Sequence, residues 1–562
     1  MERARLNRRY FMGTAVALGA LGALRIQPAL AQAVAPGSTA TGEPYQTVEI
    51  AQGVLRGGHS RGALAFKGIP YAGSVSGKNR FVEAPPAPHW SGVRDALSLG
   101  APSLQKVGGS FGEAEPAGSE DCLVLNVWTP AVNDGKKRPV MFYIHGGGYH
   151  SGSAGAPSQD GAHLAANYDV VVVACNHRLG LLGYMYLADL GGSAYATSGN
   201  QSMLDLVAAL RWVKENITAF GGDPGNVMIF GESGGGFKTG TLLAMPAAHG
   251  LFHKASVESG AALTRLSRAQ ATDTAQRVLK GLGIGSNELH KLADIPGQAF
   301  IDIQGAADQG KGPLVDPNDP KSDLLHRANF TRPGSWGPVV DGTILPASPF
   351  DPVATPVSAD IPMMVGHNRD EATFFNMGRP DTFSMDDTAL KARLAKEFGE
   401  YADRIEATYR GIYPDRSPSQ LYIAIASDVW FGNDTITAAE RKSAQPAPVY
   451  LYRYDYQSDF VIPGTSYPFG AGHASEINMK FDNYDLRGLQ GSGPGVAKAS
   501  RNMSEMWATF ARTSKPAVAG QPDWPRYDLT TRPTMVIDVD CHVESDLEGA
   551  ARQMWESIGP AI

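Results

Sequence analysis

The chain has 562 residues, 43% of them hydrophobic, and its 49 Lys and Arg against 56 Asp and Glu give a formal net charge of −7. No basic patch or run of Lys and Arg stands out beyond the N-terminus, so nucleic acid is not expected as a partner. Three cysteines, Cys122, Cys175 and Cys541, are too few and too odd in number for a disulfide framework. No Cys/His cluster has metal-ligand spacing, so no metal is expected; no other cofactor is expected either.

Taken in chain order, residues 1–31 read as an address. Arg3, Arg5, Arg8 and Arg9 precede the apolar run from Phe11 to Leu24, and "PALAQA" offers small-residue cleavage sites after Ala31 or Ala33. "NRRYFM" resembles a twin-arginine signal, and the apolar run is too short and too rich in Gly and Ala for a stable membrane anchor. Export to the periplasm or medium is the expectation, and loss of five Arg and one Glu with this leader moves the net charge from −7 to −11. Residues 32–45 read as a flexible linker. Length alone allows three domains beyond it. The absence of a second linker, repeat or low-complexity break favours one domain over 46–562.

Strand-like runs then punctuate the chain: "RPVMFYIH" (138–145), "DVVVVACN" (169–176), "NVMIFG" (226–231), "HKASVESG" (253–260), "IPMMVGH" (361–367), "PVYLYRYDY" (448–456) and "TMVIDV" (534–539). Several are apolar without alternation, as in strands covered on both faces. Helical patterns lie between them. Leu206, Leu210, Val213 and Ile217 recur at helical spacing in "SMLDLVAALRWVKENI", and "SRAQATDTAQRVLKGLG" ends on a glycine like a capped helix. Strand–helix alternation predicts an α/β fold with a mostly parallel central sheet flanked by helices. Residues 262–360 and 380–445 break the alternation and read as helical insertions over the sheet's carboxyl edge, where substrate sites form.

Two stretches fit the G-x-S-x-G nucleophile pattern: "GGSFG" (108–112) around Ser110 and "GESGG" (231–235) around Ser233. Ser110 has no strand before it and sits in a loop-like context. Ser233 follows the strand "NVMIF" and precedes the helical "GFKTGTLLAM", so Ser233 is the candidate nucleophile. A strand turning straight into a helix strains the serine backbone, and side chains two residues before and after would collide. Gly231 and Gly235 answer that need. The helix N-terminus then favours a developing oxyanion. "YIHGGGYHSG" (143–152) ends another strand in three glycines, which can aim amides at an incoming oxygen; a P-loop would need a Gly-Lys-Ser/Thr ending that is absent.

At this point the residues resemble a family, the type-B carboxylesterases, which include bacterial para-nitrobenzyl esterases and the cholinesterases. "FGGDPGNVMIFGESGGG" (220–236), "SEDCLVLNVWTP" (119–130), "FKGIPYA" (66–72), "NHRLGLLGY" (176–184), "PVVDGTILP" (338–346) and "WATFARTSKP" (507–516) are similar to family blocks, from about residue 46 to 545. The resemblance implies an α/β-hydrolase fold and a serine carboxylesterase acting on small ester substrates through an acyl-enzyme. It places the triad on Ser233, Glu371 in "VGHNRDEATFF" and His473 in "GAGHASEI", and the oxyanion amides on Gly147, Gly148 and Gly234. By spacing alone Asp370 competes with Glu371. The glycine-flanked loop around His473 suits a mobile edge position, and His145 and His177 read as scaffold. The resemblance also implies a structural salt bridge between Arg80 and Glu120. The cysteine that the family pairs with the position of Cys122 is missing, so Cys122 is expected free. Gly234 stands where the family more often has alanine, Ala372 where it has glycine, and the usual double proline is absent from "GIPYAGSVSGKNRF". "TFFNMG" (373–378) and "SDVWFGND" (427–434) fit an aromatic pocket wall or core packing equally well.

Overall fold

The computed structural model describes residues 44–106, 115–308, 311–313 and 334–559; the leader, nearly all of the linker and Ser110 lie outside the described residues. Its frame is one 13-stranded sheet. The strands are β1 (Tyr45–Ile50), β2 (Gly53–Ser60), β3 (Ala63–Pro70), β4 (Val93–Asp95), β5 (Val124–Thr129), β6 (Arg138–Ile144), β7 (Val171–Cys175), β8 (Gly222–Glu232), β9 (Lys254–Glu258), β10 (Met363–Asn368), β11 (Val449–Tyr454), β12 (Pro533–Ile537) and β13 (His542–Ser545). Their spatial order is β1-β2-β3-β5-β7-β6-β8-β9-β10-β11-β12-β13, with β4 beside β2. From β7 to β12 every pairing is parallel, whereas β1, β2, β3 and β5 at one side and β13 at the other pair antiparallel.

All seven strand-like runs named above fall on the parallel centre. Most of its strands carry long apolar stretches because both faces are covered, and β9 is the exception, with Lys254, Ser256 and Glu258 buried along it. Val140, Phe142, Ile144, Val173 and Ile229 enter one core layer, while Met141, Tyr143, Val172 and Phe230 enter the other. Helices α1 (Gln201–Asn216) and α2 (Gly234–Leu243) supply Leu206, Leu210, Val213 and Leu242 to the first layer. Leu206, Leu210 and Val213 are each fully buried, worth about 1.5–3 kcal/mol apiece; truncating Leu210 to alanine would cost about 2–5 kcal/mol. Helix α3 (Arg268–Leu282) starts on a capping box between Ser267 and Gln270 and stops at Gly283, whose φ of 68° is the left-handed C-cap expected of a terminal glycine. Helix α4 (Val496–Thr513) covers the other face with Met503, Met506, Trp507 and Phe510.

The antiparallel strands β1, β2, β3, β5 and β13 were not among the runs read from the sequence. β2 and β3 mix glycine and polar residues into their pattern, and β13 is mostly exposed. Arg80 does pair bidentately with Glu120, at 2.5 and 2.6 Å, and also donates to the carbonyls of Leu292 and Ile295. Cys122 is a free, buried thiol, which burial pushes up to about 12. Among the described residues no helix is long and apolar enough to cross a membrane.

Candidate active site

Ser233 occupies the single residue between β8 and α2, with φ 56° and ψ −121°. A non-glycine residue held there costs about 1–3 kcal/mol. Two backbone hydrogen bonds hold it: Ser233 N–H donates to Glu258 O at 2.9 Å, and Phe237 N–H donates to Ser233 O at 3.0 Å. The need for glycine around it is steric. A Cβ on Gly231 would lie 2.7 Å from the carbonyl carbon of Gly235, and one on Gly235 would lie 2.0 Å from Ile144 O.

The glycine loop closes on this elbow. Gly147 and Gly148 have φ of 83° and 64°, a region that favours glycine. A Cβ on Gly234 would sit 2.1 Å from Gly148 O and 2.4 Å from Gly148 N, so the two backbones are in direct contact. The glycine at 234 is what permits that approach.

Glu371 follows β10, and His473 lies just beyond a short hairpin (Ser458–Val461 with Pro468–Gly470) that follows β11. The two meet: His473 Nδ1–H donates to Glu371 Oε2 at 2.5 Å. The other oxygen of Glu371 accepts from Ser259 Oγ at 2.6 Å and from Asn368 N–H at 2.8 Å. Asp370, the competing acid, points elsewhere; it pairs with Arg369 at 3.2 Å and accepts from Ala471 N–H at 3.1 Å. His473 is 1% exposed, so its loop is buried, contrary to the edge position that its glycines suggested. Those glycines serve tight packing instead: a Cβ on Gly472 would meet the Phe469 ring at 2.5 Å.

Nε2 of His473 faces the elbow and lies 3.2 Å from the carboxylate of Glu232, the residue before Ser233. Burial works to lower the imidazole's pKa, but Glu232 and Glu371 outweigh it and raise it to about 9. Burial raises the carboxyl of Glu232 to about 8. The two groups act as a coupled pair that releases its protons on the alkaline side of neutrality.

Both aromatic segments left open by the sequence reach the imidazole. Phe375 and Phe431 have ring centroids 4.8 and 4.9 Å from His473, Phe374 is at 5.8 Å, and Trp430 stacks edge-on against Phe375. Trp430 and Phe431 are carried by a π-helical turn, Asp428–Gly432, a form often found at functional sites. His145 and His177 stack on each other, centroids 4.5 Å apart, in the layer below.

Residues that sequence reasoning passed over complete the surroundings. Lys480 is fully buried and bonds to Glu258 and, at 3.3 Å, to Glu476. Glu258 also accepts from Trp507 Nε1 at 2.5 Å and Ser256 Oγ at 2.8 Å, and Glu476 accepts from Asn368 Nδ2 at 2.6 Å. A lone charge inside an apolar helical pattern, "INMKF" for Lys480 and "GGGFKTGTLLAM" for Lys238, is the signal that could have found the buried lysines. Among the described residues no group of three or more His, Cys, Asp or Glu could hold a metal ion.

A sequence profile of the carboxylesterase family matches residues 44–555. The chain is 35% identical over 521 residues to the para-nitrobenzyl esterase of Bacillus subtilis, covering 91% of this chain and 98% of that protein. It is 31% identical to the phenmedipham hydrolase of Pseudarthrobacter oxydans, over 88% of this chain and 96% of the other. Among solved structures, a carboxylesterase of Geobacillus stearothermophilus superposes with a TM-score of 0.75 at 35% identity, covering 91% of this chain and 99% of its own. The parallel sheet with helices on both faces is thus the α/β-hydrolase fold. By profile, sequence and structure alike, this chain belongs to the carboxylesterase family and is a carboxylic ester hydrolase.

Proposed function

We propose that Ser233 is the nucleophile, His473 the general base and Glu371 the acid of a catalytic triad that hydrolyses esters through an acyl-enzyme. The observation that carries this reading is the 2.5 Å contact from His473 Nδ1 to Glu371, with Nε2 turned to the elbow that presents Ser233. The Nδ1–H tautomer leaves Nε2 free of hydrogen, as a base needs. His473 takes the Ser233 proton while Oγ attacks the ester carbonyl, and Glu371 steadies the imidazolium. The amides of Gly147, Gly148 and Gly234 receive the tetrahedral oxyanion. His473 passes its proton to the departing alcohol, and water repeats the sequence on the acyl-enzyme.

The substrate in this reading is an uncharged ester of modest size. Phe374, Phe375 and Phe431 around the imidazole support an aromatic group beside the reacting carbonyl, as does the similarity to a para-nitrobenzyl esterase. Residues 1–31 support export through a twin-arginine route, which the N-terminal mass of the mature protein checks.

Ser233→Ala is expected to remove turnover of para-nitrophenyl acetate by at least about a thousandfold without changing the thermal midpoint. Retention of the wild-type rate in that variant overturns the assignment. A panel of esters varied separately in acyl and alcohol size then locates the aromatic pocket.

A further inference from the structure

Lys238 lies in the second turn of α2, five residues after Ser233, and is fully buried. Long side chains on a helix lean towards its N-terminus. Here that lean brings Nζ to 3.2 Å from the carbonyl oxygen of His145, to which it donates. Among the described residues no carboxylate lies within ion-pair reach of it. The titratable groups that face it are His145, at the end of β6, Cys175, at the end of β7, and His177 just beyond. Burial keeps both imidazoles neutral, His145 down to about 3, and pushes the Cys175 thiol up, so none of the three carries charge near neutral pH.

A buried cation without a counter-ion is costly, and replacing it with an apolar side chain is often stabilising. What distinguishes this one is its place. His145 is the root of the Gly146–Gly148 loop, and the backbone of Ile144 and His145 lies against Gly235 in the first turn of the same helix. Lys238 therefore ties the glycine loop to the elbow helix from below, on the side away from solvent.

We propose that Lys238 is a positioning residue of the oxyanion site: it fixes the His145 carbonyl at the base of the glycine loop, and its ammonium adds positive charge beneath the oxygen that becomes negative during acyl transfer. The proposal rests on the Ser233 reading above. Burial lowers Lys238 to about 7, so the charge is present on the acid side of neutrality and fades on the alkaline side, while the hydrogen bond to His145 survives in both forms.

The test uses the purified full chain, with kcat and KM for para-nitrophenyl acetate and the inhibition constant of an aryl trifluoromethyl ketone, which forms a tetrahedral adduct. Both are measured at about pH 6 and about pH 9. Lys238→Met is expected to lower kcat roughly tenfold near pH 6 with KM unchanged, less than the hundredfold or more for loss of a direct oxyanion donor. Ketone affinity should weaken by the same factor, and both deficits should narrow towards the higher pH. Lys238→Gln keeps a donor to His145 without the charge, and should recover part of the loss but none of its pH dependence. Unchanged kcat and ketone affinity near pH 6 overturn the proposal, as does an equal deficit at both pH values with lowered stability, which would mark Lys238 as mere scaffold. Should Lys238→Met not fold, the same readings on Lys238→Gln decide, a pH-independent rate ratio to wild type counting against. Activity surviving in Ser233→Ala would sink the underlying reading instead, so the two failures are separable.

Discussion

Two lysines are buried beneath the candidate site, and their surroundings are opposite. Lys480, under His473, sits between Glu258 and Glu476, within a network that reaches Trp507, Ser256 and Asn368. Burial would lower its pKa, but the glutamates outweigh that and raise it. Lys238, under the glycine loop, has a carbonyl and neutral neighbours, and its pKa falls to about 7. Both side chains are fully buried, and only Lys480 offsets the cost of burial by pairing. A buried charge that is paired is part of the frame, and one that is not needs a reason connected with the reaction.

The sharpest way to break the comparison is to remove the paired charge. Lys480→Met strands Glu258 and Glu476 in the core and is expected to cost about 3–5 kcal/mol in denaturant unfolding. Adding Glu258→Gln should restore most of it. Wild-type stability in Lys480→Met would show that the pairing is not what holds this layer.

Lys238→Met should move stability the other way, by about 1–4 kcal/mol upwards. The size should depend on pH. The folded state releases the Lys238 proton near 7 and the unfolded chain near the ordinary 10.5. Between those values the unfolded state binds more protons, so wild-type stability rises with pH. The variant's advantage is therefore greatest below pH 7 and shrinks towards 10.5. Unfolding measured at both ends checks it; an advantage constant with pH would contradict a buried ammonium.

Ser259 joins the Lys480 side to the proposed triad, because it follows Glu258 and its hydroxyl donates to Glu371. A hydrogen bond to a charged group is worth about 1.5–3 kcal/mol, so Ser259→Ala should lower kcat by roughly tenfold or more, with KM little changed. An unchanged kcat would remove Ser259 from the support of Glu371.

The smallest effect is expected at Glu232. Its carboxylate helps to raise His473 to about 9, and in the proposed mechanism the neutral imidazole is the base, so kcat/KM should climb with pH into the alkaline range. Glu232→Gln removes that charge and should move the acidic limb to lower pH by about one unit. A limb that stays in place would mean that Glu371 alone sets the titration.

Much of this architecture was legible beforehand. The seven parallel strands could be read because covering both faces favours long apolar runs, and the elbow because a strand-to-helix turn tolerates only glycine two residues either side of Ser233. The antiparallel flank was less legible, since β2 and β3 mix glycine and polar residues and β13 faces solvent. Spacing could not separate Asp370 from Glu371; the turn after β10 sends one towards Arg369 and the other to His473.

What the sequence determined by itself was local and periodic: strand runs, helix stops, and the glycines that steric conflict requires. What only the tertiary structure decided was which distant groups meet. Glu232 meets His473, and Lys480 meets Glu258, across more than two hundred residues of chain, and Lys238 reaches His145 across 93; only Glu476, four residues from Lys480, is its neighbour in sequence as well. Charge interactions depend on distance in space and on the exclusion of water, and neither is written in the order of residues.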